Sequence, residues 1–293
     1  MPGEGTYLLT NVGFSSNEEP LLLLQDNDKF IDMHPLGNVF TLSFDMTTRY
    51  CNGWRDITSG DRHICPTNNV LDSKYEQCAA CQKRTGFNPA FYHASSVSEQ
   101  QEARNLQPHM LYLAHFGPGV IKVGISHAAR GNSRLLEQGA RTALILETFS
   151  TAHTARQYEA KIAKIPGIVE TLQQRKKSDL LSSSYDSNAA SSELLTVKQS
   201  IEQAIDTKFD DVSTMYLDSV YFPDHMPALS QSHDVSNQHI LSGTAIGMLG
   251  SVLFCQQNDT ILHLPLKKHV GYTVTVTHND TPIETPARQI SLF

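Results

Sequence analysis

The chain has 293 residues, 40% of them hydrophobic and 18% charged, which is enough for two or three domains with cores of their own. No apolar run approaches the roughly 18–20 residues of a membrane helix, and Met1 to Tyr7 lacks the basic stretch of a secretory signal, so a cytoplasmic protein with no membrane partner is expected. A formal net charge of −7 by itself argues against a nucleic-acid binder, but residues 104–177 carry eleven basic against four acidic side chains, a local +7 inside an acidic remainder of −14.

Residues 1–50 form the first expected segment and read as β-structure. Thr6–Leu9, Leu21–Gln25 and Val39–Phe44 are strand-like, and Ser-Ser-Asn, Asp-Asn-Asp and Pro-Leu-Gly-Asn separate them with turn chemistry. No catalytic motif shows there.

Residues 51–104 form the second segment. Four of the five cysteines, Cys51, Cys65, Cys78 and Cys81, lie within 31 residues, with His63 between them. The two-residue gap of Cys78-Ala-Ala-Cys81 lets both thiolates reach one tetrahedral ion. Zinc on four cysteines, or on three and His63, accounts for the clustering, and its closed coordination makes it structural. A redox pair is the competing reading, but Ser73–Gln77 is not the apolar strand such a pair follows. Disulfides are disfavoured in a cytoplasmic chain. Phe87, Phe91 and Tyr92 suit either a stacking platform for bases or a packed seam beside the cysteines, and His93 shares those alternatives. A helical run, Ser98–Asn105, closes the segment.

Residues 105–177 form the third segment, a core with clear local signals. Met110–Phe116 and Val120–Ser126 flank Gly117-Pro118-Gly119 and predict a β-hairpin with Phe116 facing Val120. Counting outward from that turn puts Leu111, Leu113, Ile121, Val123 and Ile125 on one buried face. Tyr112 then stands opposite Gly124 on the other face, flanked by Lys122 and Ser126, with room for a ligand. Asn132 or Ser133 caps a short helix, Arg134–Gln138, that Gly139 ends. Thr142–Phe149 is a third strand, and a helix from Thr151 or Thr154 runs to Ile165. Tyr158, Ile162 and Ile165 are its apolar stripe, with Glu159 on the border.

Residues 178–192, rich in Ser, Asn, Asp and Ala, read as a linker or surface loop. Residues 193–293 begin with a helix over Glu193–Asp206 and continue with strands at Ser213–Phe222, Thr260–Leu266 and Tyr272–Thr277. Ile240–Phe254 is an apolar run broken by three glycines, as in a small barrel. The two terminal β segments are expected to pack on each other rather than on the core, because about 50 residues of β-structure bury little alone. Cys255 reads as a buried thiol without chemistry.

Leu111-Tyr112, Lys122-Val123-Gly124, Arg134 in Arg-Leu-Leu-Glu-Gln, and Glu159 together resemble the phage-type branch of the GIY-YIG nuclease superfamily. Taken with the cysteines and Glu137-Gln-Gly-Ala-Arg141, the chain also resembles an uncharacterised family of bacterial proteins that couples a cysteine cluster to such a core. The resemblance implies an α+β fold: a small three-stranded antiparallel sheet with flanking helices, beside a zinc-binding module and β-rich terminal segments. It implies Tyr112 as general base or water-positioning group, with Lys122 helping to depress its pKa. It also implies Arg134 on a phosphate and Glu159 holding a divalent ion, Mg²⁺ or Mn²⁺. Met110 stands where the superfamily has glycine, Lys122 where it has its second tyrosine, and Gln138 where many members have histidine. Binding of DNA or RNA beside a structural zinc, without cleavage, is therefore ranked first. A metal-dependent endonuclease comes second, and a structural protein with an Arg134–Glu159 ion pair third.

Overall fold

The computed structural model describes residues 1–88, 96–181, 183–210 and 212–285. Phe91, Tyr92 and His93 lie outside the described residues, as does the side chain of Arg175.

Four strands open the chain: β1 (Gly5–Phe14), β2 (Pro20–Asp26), β3 (Lys29–Met33) and β4 (Val39–Asp45). The cysteine segment holds β5 (Trp54–Arg55), β6 (Arg62–His63), α1 (Ala79–Thr85) and α2 (Glu99–Asn105). The core follows as β7 (His109–Gly117), β8 (Val120–His127), α3 (Ser133–Gln138), β9 (Thr142–Phe149), α4 (Ala152–Ile162) and β10 (Ile168–Val169). Then come α5 (Gln174–Leu180), α6 (Ser187–Ile205), β11 (Ser213–Tyr216) and α7 (Asp218–Tyr221). The chain closes with β12 (His233–Asp234), β13 (Ile240–Leu249), β14 (Val252–Gln257), β15 (Thr260–Pro265) and β16 (Thr273–Thr277).

Two sheets dominate. One has nine strands in the order β12-β15-β14-β13-β4-β16-β1-β2-β3, so strands from both ends of the chain interleave. The apolar run at Ile240–Phe254 is a hairpin there: Gly250, with φ of +64°, turns the chain between β13 and β14. The other sheet has five strands in the order β10-β8-β7-β9-β11.

The hairpin register is one residue off at its turn and correct at its centre. Gly117, not Phe116, faces Val120, and an irregularity between His115 and Gly117 absorbs the difference. Beyond it Tyr112 faces Gly124 and Leu113 faces Val123. Leu111, Leu113, Ile121 and Val123 pack with Ile162 of α4 and with Leu194 and Ile201 of α6.

The opposite face of that sheet is covered too, which corrects the expectation of an open ligand surface and of terminal β segments apart from the core. Tyr112, Ala114 and Phe116 join Leu135 and Leu136 of α3 in one cluster with Leu9, Phe14 and Met248 of the nine-stranded sheet. Gly139 and Gly250 touch at this seam, where a Cβ on Gly250 would lie 3.1 Å from the Gly139 Cα. Burying both faces of a small sheet is what its hydrophobic content requires, since neither face carries a charged row except at Lys122.

Residues 178–192 are not a free linker. Asp186 caps α6 by accepting from the amides of Asn188 and Ala189, so the Ser/Ala-rich stretch runs into a 19-residue helix. Tyr185 is held by its hydroxyl on Thr142 Oγ1 at 2.8 Å and by the Arg141 guanidinium, 3.8 Å from the ring centre. Ser213–Phe222, expected as one strand, divides into β11 and α7.

Candidate metal centre and basic cleft

The four clustered cysteines converge. Cys51 precedes the β5–β6 hairpin and Cys65 follows it, while Cys78 is the N-cap of α1 and Cys81 lies in its first turn. All four sulfurs lie within 4.8 Å of one another. A tetrahedral zinc site with bonds of about 2.3 Å needs sulfurs about 3.8 Å apart, so the donor set fits such an ion after a small contraction. Cys51, Cys65 and Cys81 are buried and Cys78 is half-buried, all four as free thiols.

The surroundings favour thiolate at Cys78 and Cys65 over Cys51 and Cys81. A hydrogen bond from the Asn69 side chain holds the Cys78 thiol down to about 6, while burial pushes Cys81 and Cys51 up. The Cys78 amide donates to Cys51 Sγ at 3.2 Å, the kind of N–H···S contact that orients a ligand sulfur. His63 is not part of the group. It is exposed and stacks on Trp54, with ring centres 3.9 Å apart.

Of the expected site residues in the core, Tyr112 is the most enclosed, at 1% exposure. Its ring fills the space over Gly124, where any Cβ would collide with the hydroxyl. Gln138 Nε2 donates to that hydroxyl at 2.9 Å. Burial drives the phenol above its ordinary value, against the pull of Arg134, so the depressed pKa that a phenolic base needs is absent. Lys122 donates to the carbonyls of Glu170 at 2.6 Å and Val123 at 3.2 Å, and burial brings its amine down to about 8.

Glu159, 5% exposed, pairs with Arg156 on the preceding turn of α4. Burial raises its pKa and Arg156 opposes that rise. The Arg134–Glu159 ion pair of the structural reading is not formed; Arg134 sits 3.9 Å from Glu137 instead.

Arg134 stands between two adjoining hollows. One is a cleft of about 440 Å³ lined by Lys122, Arg134, Gln138, Glu170 and Lys177. The second, about 320 Å³, is lined by Ser126, Arg134, Arg156 and Glu159, with Phe87 at its edge. Tyr112 lines neither, and Gln138 separates it from the first.

Three contributors to the larger cleft escape any reading of the core by itself. Arg55 and Arg62 reach it from the cysteine hairpin, and Lys267 reaches it from the turn after β15. With Arg130 the wall then has seven basic side chains against Glu137 and Glu170. Nothing in the linear spacing signals this, because Arg55 and Arg134 are far apart in the chain.

The fold and site define a mixed α+β protein of several sheets carrying a four-cysteine group able to bind a metal such as zinc. No helix among the described residues is long and apolar enough to cross a membrane. The family model described as "Protein of unknown function (DUF2797)" matches residues 73–274, and the chain belongs to that family. No curated protein and no solved structure matches it.

Proposed function

We propose that the protein holds one structural zinc ion on Cys51, Cys65, Cys78 and Cys81 and binds nucleic acid in the basic cleft. The core, read as GIY-YIG-like, then serves as a phosphate-binding surface. The observation that carries this reading is the charge imbalance of the cleft, seven basic groups against two acidic ones in a chain whose net charge is −7. Such a concentration is costly to assemble unless a polyanion offsets it. Four thiols kept free for a metal also suit a reducing compartment, which supports a cytoplasmic location.

A divalent-metal-dependent endonuclease is the second reading. Arg134 favours it by lying between Lys122 and the Glu159 pocket, where it would hold a phosphate near an ion on Glu159. The buried phenol of Tyr112 and the capture of Glu159 by Arg156 favour binding without cleavage.

Fluorescence anisotropy with labelled DNA and RNA oligonucleotides, measured over a range of salt, tests the proposal. Arg134→Ala should weaken binding uniformly across sequences and reduce the salt slope by about one. Incubation with Mg²⁺ or Mn²⁺ should produce no new ends. Ends that appear with wild type and vanish with Glu159→Ala would move the nuclease reading to first place.

A further inference from the structure

We propose that the β5–β6 hairpin is a metal-stapled phosphate clamp that closes the basic cleft over a single nucleic-acid strand. This rests on the reading of the cleft as a nucleic-acid site, and it assigns the strandedness of the ligand and the part of the chain that grips it.

The clamp is two arginines on facing positions. Arg55 pairs with Arg62 across the hairpin, and both side chains line the cleft that Lys122, Arg134 and Lys177 line from the core. Two other arginines nearby are neutralised. Arg130 meets Glu137 at 2.6 Å, and Arg141 meets Asp218 at 2.7 Å. Neither Arg55 nor Arg62 has a side-chain hydrogen bond or ion pair among the described residues, and Arg55 Nε is buried without a partner. Two half-enclosed guanidinium groups facing each other repel, and folding tolerates them where an anion completes the site. Burial and then the neighbouring arginine charges hold both below their usual values, and Glu137 offsets this only in part. A guanidinium pair is also the geometry that phosphate oxygens accept best.

The walls suit an unpaired strand. The cleft of about 440 Å³ and the hollow of about 320 Å³ share Arg130 and Arg134, so basic side chains run continuously from one to the other. Phe87, 56% exposed at the edge of the smaller hollow, offers a ring on which an unpaired base can stack.

The metal makes the clamp conditional. Each strand of the hairpin has two residues, and a hairpin of that size has no independent stability. Its two ends run directly to Cys51 and Cys65, and among the described residues the core it packs on is the cysteine cluster with Trp54 and Leu71. Without the ion, Arg55 and Arg62 lose their fixed position over the cleft.

The test uses the full chain and two probes, a labelled 15-nucleotide oligothymidylate and a labelled 15-base-pair duplex. Wild type, Arg55→Ala/Arg62→Ala and metal-stripped wild type are compared by anisotropy over a salt series, with the zinc content of each protein measured in parallel. The single strand should bind at least tenfold tighter than the duplex. The double variant, with full zinc content, should lose at least tenfold on the single strand and about 1.4 in salt slope, for two phosphate contacts. Stripping the metal should reproduce that loss in wild type and add little in the double variant. If wild type binds the single strand and the zinc-loaded double variant binds it equally well, the clamp is wrong while the cleft reading stands. A duplex bound as tightly as the single strand overturns the choice of strand. No binding of either probe by zinc-loaded wild type overturns both clamp and cleft.

Discussion

The nine-stranded sheet and the cysteine module face the same cleft and are held together by different means. The sheet buries side chains such as Leu24, Phe40, Leu253 and Phe254 in a cluster continuous with the core below it. The cysteine module buries three sulfurs, with Trp54, Leu71 and Cys78 partly packed against them, and little else. The first is stabilised by apolar area removed from water, at roughly 25 cal/mol per Å². The second has too little such area, so its order depends on whatever occupies the four thiols. The module supplies Arg55 and Arg62 to the cleft, and the apolar-packed remainder supplies Lys122, Arg134, Lys177 and Lys267, which makes the cleft half permanent and half conditional.

The largest effect that sharpens this contrast is expected from metal removal. Structural zinc contributes on the order of 10 kcal/mol to folding of small modules. Cys78→Ser with Cys81→Ser should therefore open the module and leave the sheet closed. In hydrogen exchange, amides of residues 51–81 should lose protection while those of β1, β13 and β14 keep theirs. Loss of protection throughout the sheet would erase the distinction between the two regions.

The converse substitution attacks the sheet. Phe254→Ala empties a fully buried site and should lower global stability by about 3–5 kcal/mol, read as a shift in the denaturant midpoint. Zinc per folded chain should stay unchanged. A variant that sheds its metal before it unfolds would show that the module leans on the sheet more than on its own ligands.

What could be read from the residues follows the same division between local and assembled features. The strand at Thr142–Phe149 has those same ends in the structure, and the helix capped by Thr151 ends at Ile162, three residues short of its expected stop at Ile165. Tyr112 opposite Gly124 followed from counting across a turn. Those are properties of neighbours in the chain. The cover over Tyr112 was invisible because it comes from Leu9, Phe14 and Met248, more than 95 positions away on either side. Strand β3, Lys-Phe-Ile-Asp-Met, escaped notice because Lys29 and Asp32 interrupt a short apolar pattern. Residues 178–192 read as a linker on composition, whereas Asp186 as a cap and Tyr185 on Arg141 tie them down. The arginines of the hairpin carried no signal at all until the cysteines brought them over the core.

A smaller effect should come from pH, and it belongs to the permanent half of the cleft. Burial brings Lys122 and Lys177 down to about 8, below the ordinary lysine value of 10.5. Between those values the unfolded chain holds protons that the folded chain has released, so stability should rise with pH across that window. Affinity for an oligonucleotide should move the other way and fall as pH passes 8, because the discharged amines no longer attract phosphate. Lys122→Gln with Lys177→Gln should flatten both trends, as measured by denaturation and anisotropy from pH 7 to pH 9.5. Persistence of either trend in that variant would place the titrating groups elsewhere.

The most direct measurement is the metal content of the full chain purified without added metal, compared with the Cys78→Ser plus Cys81→Ser variant. The account predicts one zinc per wild-type chain and none in the variant. Equal zinc in both, or none in either, would contradict it.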